Sequence, residues 1–120
     1  MRKYTPSAFI NALNLYRPTE TTMVNPMVYK LLQLCGEDHD ALSSLRRIST
    51  GGVRLPLDVQ RRFRSLLHPA ATLRQVYGMT EIGWAISLLY PDDDVTGAAG
   101  KLLPNVEARY LPLSHRHVLF

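Results

Sequence analysis

Tyr77-Gly78-Met79-Thr80-Glu81 sets a flat aromatic face, a glycine, a hydroxyl and a carboxylate within five residues. Such a set can stack on a nucleobase, touch a phosphate oxygen and hold a hydrated Mg²⁺. The same residues also suit a capping turn, with Thr80 satisfying backbone donors and Glu81 opening a helix. A second cluster, Thr50-Gly51-Gly52-Val53, pairs two glycines whose missing Cβ lets a ligand approach the backbone. It equally suits a tight strand-to-helix turn. Neither cluster decides its own meaning. Other reactive side chains are sparse. Cys35 falls on an apolar helix stripe and reads as core, while His39 and His68 flank loops. His115 and His117 would share one strand face, but no third ligand accompanies them, so no metal site is expected there. Gly-x-Ser-x-Gly and Walker-type motifs are absent from these 120 residues, which leaves hydrolase and P-loop readings unsupported.

The elements that must carry the two clusters share one grammar of short strand, punctuated turn and amphipathic helix. Ser7 to Tyr16 has Phe9, Ile10, Leu13 and Tyr16 at helical spacing, closed by Arg17-Pro18. Glu20 to Asn25 is β-branched and short, the pattern of a buried strand. Pro26 opens a helix whose buried stripe is Met27, Val28, Leu31, Leu32 and Cys35, with Gly36 as a left-handed stop. Leu45 to Ser49 reads as the next strand and Thr50 to Val53 as its turn. Pro56 to Leu67 then forms a helix on Val59, Phe63, Leu66 and Leu67, and His68-Pro69 ends it. Thr72 to Val76 is a third strand leading into Tyr77. Trp84 to Tyr90 fits either a strand or a short helix. Pro91-Asp92-Asp93-Asp94 is a polar loop, and alternation over Leu102 to Leu111 at Val106, Ala108 and Tyr110 suggests a further strand. Strands alternating with helices of this length predict an α/β fold on a parallel sheet with flanking helices. In such sheets ligands gather beyond the carboxyl ends of the strands, where both clusters fall.

Composition bounds the partners. With 46% hydrophobic and 20% charged residues, the chain can bury a core, so disorder does not describe it as a whole. No apolar run approaches the ~20 residues needed to cross a bilayer. Met1-Arg2-Lys3-Tyr4-Thr5-Pro6 has no apolar stretch behind it, so no secretory leader is expected. A single cysteine excludes an internal disulfide. The net charge is +4, and most of the 14 basic residues are arginine, with clusters at 46, 47, 54, 61, 62 and 64. Only Phe63 interleaves with them, so they read as a solvated helix face rather than a nucleic-acid footprint. A basic nucleic-acid binder stays open as a reading that steep salt dependence would support.

Taken together, the clusters resemble the adenylate-forming (AMP-binding) superfamily, with its acyl-CoA synthetases, 4-coumarate–CoA ligase-like enzymes and luciferases. Leu42-Ser43-Ser44-Leu45-Arg46-Arg47-Ile48 followed by Thr50-Gly51-Gly52-Val53 is similar to that family's Leu-Ser-Ser-Leu-Arg…Gly-Gly-Ala stretch. Gln75 to Glu81 is similar to its Tyr-Gly-x-Thr-Glu motif, and Gly97 to Asn105 to its Gly-x-x-Gly-Lys-x-x-Pro segment. Order and spacing agree over residues 1 to 111. The resemblance implies a ligase that joins a carboxylic acid to AMP from ATP with Mg²⁺, then passes the acyl group to a thiol such as coenzyme A. It implies that Gly51, Gly52 and Val53 line the adenine and acyl pocket and that Tyr77 packs on the adenine, with Gly78 and Met79 in the same nucleotide-binding turn. Thr80 would hydrogen-bond a phosphate oxygen and Glu81 would hold Mg²⁺, the two residues carrying catalysis. Asn25, with Gly52 and Gly78, would border the acyl substrate.

The departures shape the expectation as much as the matches. The family's Ser/Thr/Gly-rich phosphate loop with its lysine would precede residue 1, and nothing after Leu111 supplies its ribose-gripping aspartate, hinge arginine or catalytic lysine. Val53 stands for the usual alanine and Arg54 for a common proline, which narrows and charges the pocket rim. Residues 112 to 120 match nothing in the family and look like an out-of-frame tail. The expectation is a partial adenylation domain at 1–111 with an unmatched tail at 112–120, and the start of a following β segment. As an isolated piece it should bind nucleotide weakly without turnover, since each missing cation is worth several kcal/mol of phosphoryl charge stabilisation. An α/β binding or interaction remnant without catalysis is the alternative. Self-association through uncovered apolar surface and a cytoplasmic or peroxisomal location are the remaining expectations.

Overall fold

Thr5 opens the first helix, its Oγ1 accepting from the Ala8 N–H at 3.2 Å with Pro6 in the first turn. The computed structural model describes residues 4–36, 40–83, 85–88 and 96–109. Helix α1 runs Pro6–Tyr16 and ends as Arg17 turns left-handed at φ 45°, its N–H bonding Leu13 O. Leu13 is buried, with Phe9 and Ile10 packed against the core, whereas Tyr16 points into solvent. Strand β1 is Glu20–Val24 and helix α2 is Asn25–Cys35. The predicted α2 stripe holds, Val28, Leu31 and Cys35 being buried and Met27 and Leu32 packed against them. Gly36 stops the helix at φ 56° and ψ −111°, a positive φ that favours glycine but not the left-handed helical cap expected.

Strand β2 is Arg47–Gly51, helix α3 Leu57–Ser65 and strand β3 Thr72–Gly78. Both strands reach farther than their patterns suggest. Leu45 is fully buried in the turn before β2, so its apolarity marks core and not strand. Thr50 and Gly51 belong to β2, and Tyr77 and Gly78 to β3. Thr50 keeps its place with a hydroxyl bond to Arg74 O at 3.4 Å. β1, β2 and β3 pair in parallel, neighbour to neighbour. Leu31, Ile48, Phe63 and Leu73 fill the space between the helices and this sheet.

Two expectations change. β1 is not a buried strand: it lies at the sheet edge, Met23 alone is buried, and Glu20, Thr22 and Val24 face solvent on the open side. The expected parallel sheet with flanking helices holds for β1 to β3, and antiparallel strands extend it. Ala85–Leu88 forms β4, antiparallel to β3, and Lys101–Leu102 forms β5, antiparallel to β4. The long strand read over Leu102 to Leu111 stops after two residues. Pro104 removes a ladder donor and Asn105 turns left-handed at φ 64°, closing a turn with Val106 N bonded to Leu103 O at 3.2 Å. Tyr110, Leu111 and the 112–120 tail lie outside the described residues, as do Trp84, His39 and the acidic loop.

The arginines are spread among separate tasks. Arg46 caps the turn before β2 with bonds to Ser43 O at 2.6 Å and Leu45 O at 3.0 Å. Arg64 reaches Leu73 O at 2.9 Å, tying α3 to β3. Arg47 pairs with Glu20 on the open sheet face. Arg61 and Arg62 are exposed, as the helix pattern predicts. No helix among the described residues is long and apolar enough to cross a membrane.

Candidate functional site

Parallel pairing brings the ends of β2 and β3 side by side, with Gly51 opposite Val76. The two glycines of the first cluster serve different physical ends there. A Cβ on Gly51 would stand 3.2 Å from Val76 O, so only glycine lets the strands approach this closely. Gly52 turns at φ 91°, a conformation strained for any residue with a side chain. That turn directs the chain away from the sheet toward α3.

A cavity of about 600 Å³ opens at this end of the sheet. Its walls are Gly52, Val53 and Arg54 from the glycine turn, Gln75 to Gly78 from β3, and Thr96 to Ala99 from the loop before β5. The two clusters thus meet at a single cavity, the juxtaposition on which the adenylate reading depends. A smaller cavity of about 210 Å³, shared by Thr22–Val24, Gly51, Gly52, Val76 and Gly78, adjoins the same strand ends. Tyr77 is 52% exposed. The β3–β4 register slips between Tyr77 and Gly78, an irregularity of the kind that re-aims side chains beside sites.

Asn25 is buried at the first position of α2, and its Nδ2 donates to Val53 O at 2.6 Å. It holds the glycine turn in place and is not among the residues lining either cavity. Its Oδ1 has no hydrogen-bond partner among the described residues. Met79, Thr80 and Glu81 continue past the cavity wall: Thr80–Ile82 forms one 3₁₀ turn closed by Gly83, and all three residues are exposed. Gly52, Val53, Tyr77 and Gly78 therefore come together, Gly51 supports them from the strand, and Met79, Thr80 and Glu81 are not among the lining residues.

Sequence reasoning left three participants unassigned, while Arg54, which it placed at the pocket rim, does line the cavity. Gln75 is buried in the cavity wall, and Gly97 with its neighbours forms the facing wall. Gln60, 1% exposed, bonds Leu55 O at 2.9 Å under the turn. Gln75 and Gly97 lie inside matched motifs, so the signal was present in their positions. Gln60 offered none, because a glutamine in a basic helix reads as surface.

The residues fit a nucleotide better than a free metal ion. Backbone without a side chain at Gly52, in the cavity that Tyr77 also lines, suits a planar base. Among the described residues no group of three His, Cys, Asp or Glu side chains gathers. A hydrated Mg²⁺ needs only one or two carboxylates when phosphates supply the rest, and Glu81 offers one.

Comparison with known proteins agrees with this geometry. The family described as AMP-binding enzyme matches residues 1–114. A phenylacetyl-CoA ligase of Aspergillus niger is 36% identical over 114 residues, covering 92% of this chain and 21% of the relative. A 4-coumarate–CoA ligase-like protein of Oryza sativa is 31% identical over 121 residues, 99% of this chain and 20% of the relative. Among solved structures, an amide bond synthetase from Marinactinospora thermotolerans superposes with a TM-score of 0.69 at 28% identity, covering 95% of this chain and 24% of that one. O-succinylbenzoate coenzyme A synthetase from Bacillus subtilis, solved with ATP and magnesium ion, gives 0.66 at 28% identity over 86% of this chain and 21% of that one. The chain spans about a fifth of the length of the relatives it matches. With a glycine turn and a tyrosine-glycine strand end meeting at one cavity, and with this match along nearly its whole length, the chain belongs to the AMP-binding enzyme family.

Proposed function

We propose that this chain supplies the adenine-binding wall of an ATP-dependent acid–thiol ligase. In that reaction a carboxylate oxygen attacks the α-phosphorus of ATP, the bond to the β-phosphate oxygen breaks, and pyrophosphate leaves. The acyl-AMP then yields its acyl group to a thiol such as coenzyme A, releasing AMP. The observation that carries this reading is the single cavity bounded by Gly52–Val53 and by Tyr77–Gly78. Tyr77 offers its ring to the base, and the backbone of Gly51, Gly52 and Val53 lets the base approach. Thr80 donates its hydroxyl to a phosphate oxygen. Glu81 is the carboxylate for Mg²⁺, which when bound offsets phosphate charge. Asn25 fixes the turn that borders the acid.

Calorimetry with an acyl-sulfamoyl adenosine tests the site directly. Saturable binding that competes with AMP supports it, and no binding at millimolar ligand overturns it. For the 120 residues alone we propose weak binding and no turnover, because Arg54 is the sole cationic side chain lining the cavity among the described residues. Robust ATP–pyrophosphate exchange would refute that. The exposure of Thr80 and Glu81 outside the cavity lining favours a second reading, a binding module without catalysis. Ligand binding without exchange in a longer chain carrying the whole family match would select it.

A further inference from the structure

Gln75 sits in β3 and is 5% exposed. A buried carboxamide has donors and acceptors at opposite corners, and each is expensive to leave unmade. Both corners here are engaged by backbone. Oε1 accepts from the Leu55 N–H at 2.6 Å, and Nε2 donates to Gly97 O at 2.9 Å. Leu55 directly follows the Gly52–Arg54 wall of the cavity, and Gly97 belongs to the Thr96–Ala99 wall. One side chain thus bridges two walls whose residues lie about forty positions apart in sequence. Other side chains also hold these walls: Gln60 Nε2 bonds Leu55 O at 2.9 Å and Asn25 Nδ2 bonds Val53 O at 2.6 Å on the glycine turn, and Ser87 Oγ bonds Ala99 O at 2.6 Å on the loop. The seat is tight. A Cβ on Gly97 would meet Gln60 Nε2 at 3.5 Å and Arg54 Nη2 at 3.8 Å.

We propose that Gln75 is the positioning residue of this cavity. Its carboxamide fixes the separation of the glycine turn from the Thr96–Ala99 loop, and so the thickness of the planar group admitted between them. Gln75 is itself part of the cavity wall, and with both bonds made to backbone it acts through the turn and the loop that it ties together. The choice of an adenylate as probe rests on the function proposed above; the bridge itself does not.

Gln75→Glu tests it by pH. The ionised carboxylate keeps the acceptor for Leu55 N–H but turns a lone pair toward Gly97 O. Once protonated, it regains a donor for that carbonyl. Burial raises a carboxyl pKa, so the donor returns as pH falls through roughly 7 to 5. At pH 8, amide exchange in residues 96–100 should rise about tenfold over the unsubstituted chain, the fold-change one hydrogen bond carries. Exchange at Ile48 and Leu73 should not change. Protection should return toward pH 5, after correction for intrinsic exchange, and acyl-sulfamoyl adenosine affinity relative to the unsubstituted chain should recover with it. Gln75→Met should lose both at every pH. Unchanged loop exchange in Gln75→Glu overturns the proposal, as does an equal rise at the loop and at Ile48 and Leu73. If neither variant folds, the unsubstituted chain decides: Leu55 and residues 97–99 must open together, and independent opening overturns the bridge. Failure of the unsubstituted chain to bind the adenylate, with exchange behaving as stated, would refute the ligand and leave the bridge standing.

Discussion

The Asn25 amide and the Val53 carbonyl, 28 residues apart, meet at 2.6 Å and lock the first turn of α2 to the glycine turn after β2. Two consecutive βα units are joined at the point where a ligand would enter. The bond explains why a polar residue is buried at a strand-to-helix junction whose neighbours are apolar.

Removing that bond leaves Val53 O without its partner and a space at the head of α2. Asn25→Ala should lower stability by about 1–3 kcal/mol. It should also weaken acyl-sulfamoyl adenosine binding more than it weakens the fold. Urea denaturation and calorimetry on the same preparation read the two effects, and unchanged affinity would reduce Asn25 to a purely structural role.

Gly51 and Gly52 should both resist replacement, for separate reasons. Gly51→Ala forces its Cβ toward Val76 O, and overpacking of this kind costs about 1–3 kcal/mol. Gly52→Ala meets only Val24 Cγ1, at an ordinary contact distance of 3.9 Å, but a left-handed backbone, costing about 1–2 kcal/mol. Gly52→Asn should recover part of that loss in urea denaturation, since Asn tolerates left-handed backbone; Gly51→Asn should recover none.

Tyr77 is half-exposed, so Tyr77→Ala should shift the melting temperature little. Loss of base stacking should nevertheless weaken acyl-sulfamoyl adenosine binding by about 1–3 kcal/mol, and Tyr77→Phe should retain it. Equal affinity in all three proteins would remove Tyr77 from the site.

Glu81→Ala should abolish any Mg²⁺ dependence of nucleotide affinity while leaving Mg²⁺-free affinity unchanged. Titration of ATP with and without Mg²⁺ separates these terms. A Mg²⁺ dependence that survives the substitution would place the cation elsewhere.

Acid should release one tie on the open sheet face. The Arg47 guanidinium, hydrogen-bonded to Glu20, holds that carboxyl below its ordinary value. A lowered folded value means the contribution is present above the unfolded carboxyl pKa and is lost as pH falls through the lower folded one. Glu20→Gln should therefore flatten the acid limb of stability against pH below about 4.5. The effect should be small, because both groups are solvent-exposed and screened. An unchanged acid limb would show that the pair adds nothing.

Much of the architecture was legible because it rests on local chemistry. Helical spacing of Val28, Leu31 and Cys35, the first-turn prolines and the stop at Gly36 each act within a few residues of chain. The same holds for Gly51-Gly52 and Tyr77-Gly78, whose types announce turns and close approach. What escaped was decided at a distance. Leu45 looked like strand and proved to be core, because apolarity alone does not say which element carries it. Val106 and Ala108 alternate, yet Pro104-Asn105 turns the chain before a ladder can form.

Sequence alone determined the pieces: the helices, the two clusters, and a motif order specific enough to indicate an adenylate-forming family. Only the tertiary structure decided which pieces share a cavity and which side chains hold it open. Gln75, Gln60, Asn25 and Arg64 are polar residues whose partners are backbone groups 5 to 28 positions away. Burial obliges each to find a partner, but the packing of strand ends and loops selects which one. No periodicity along the chain encodes that selection, since it depends on distances that exist only once β2 and β3 lie side by side.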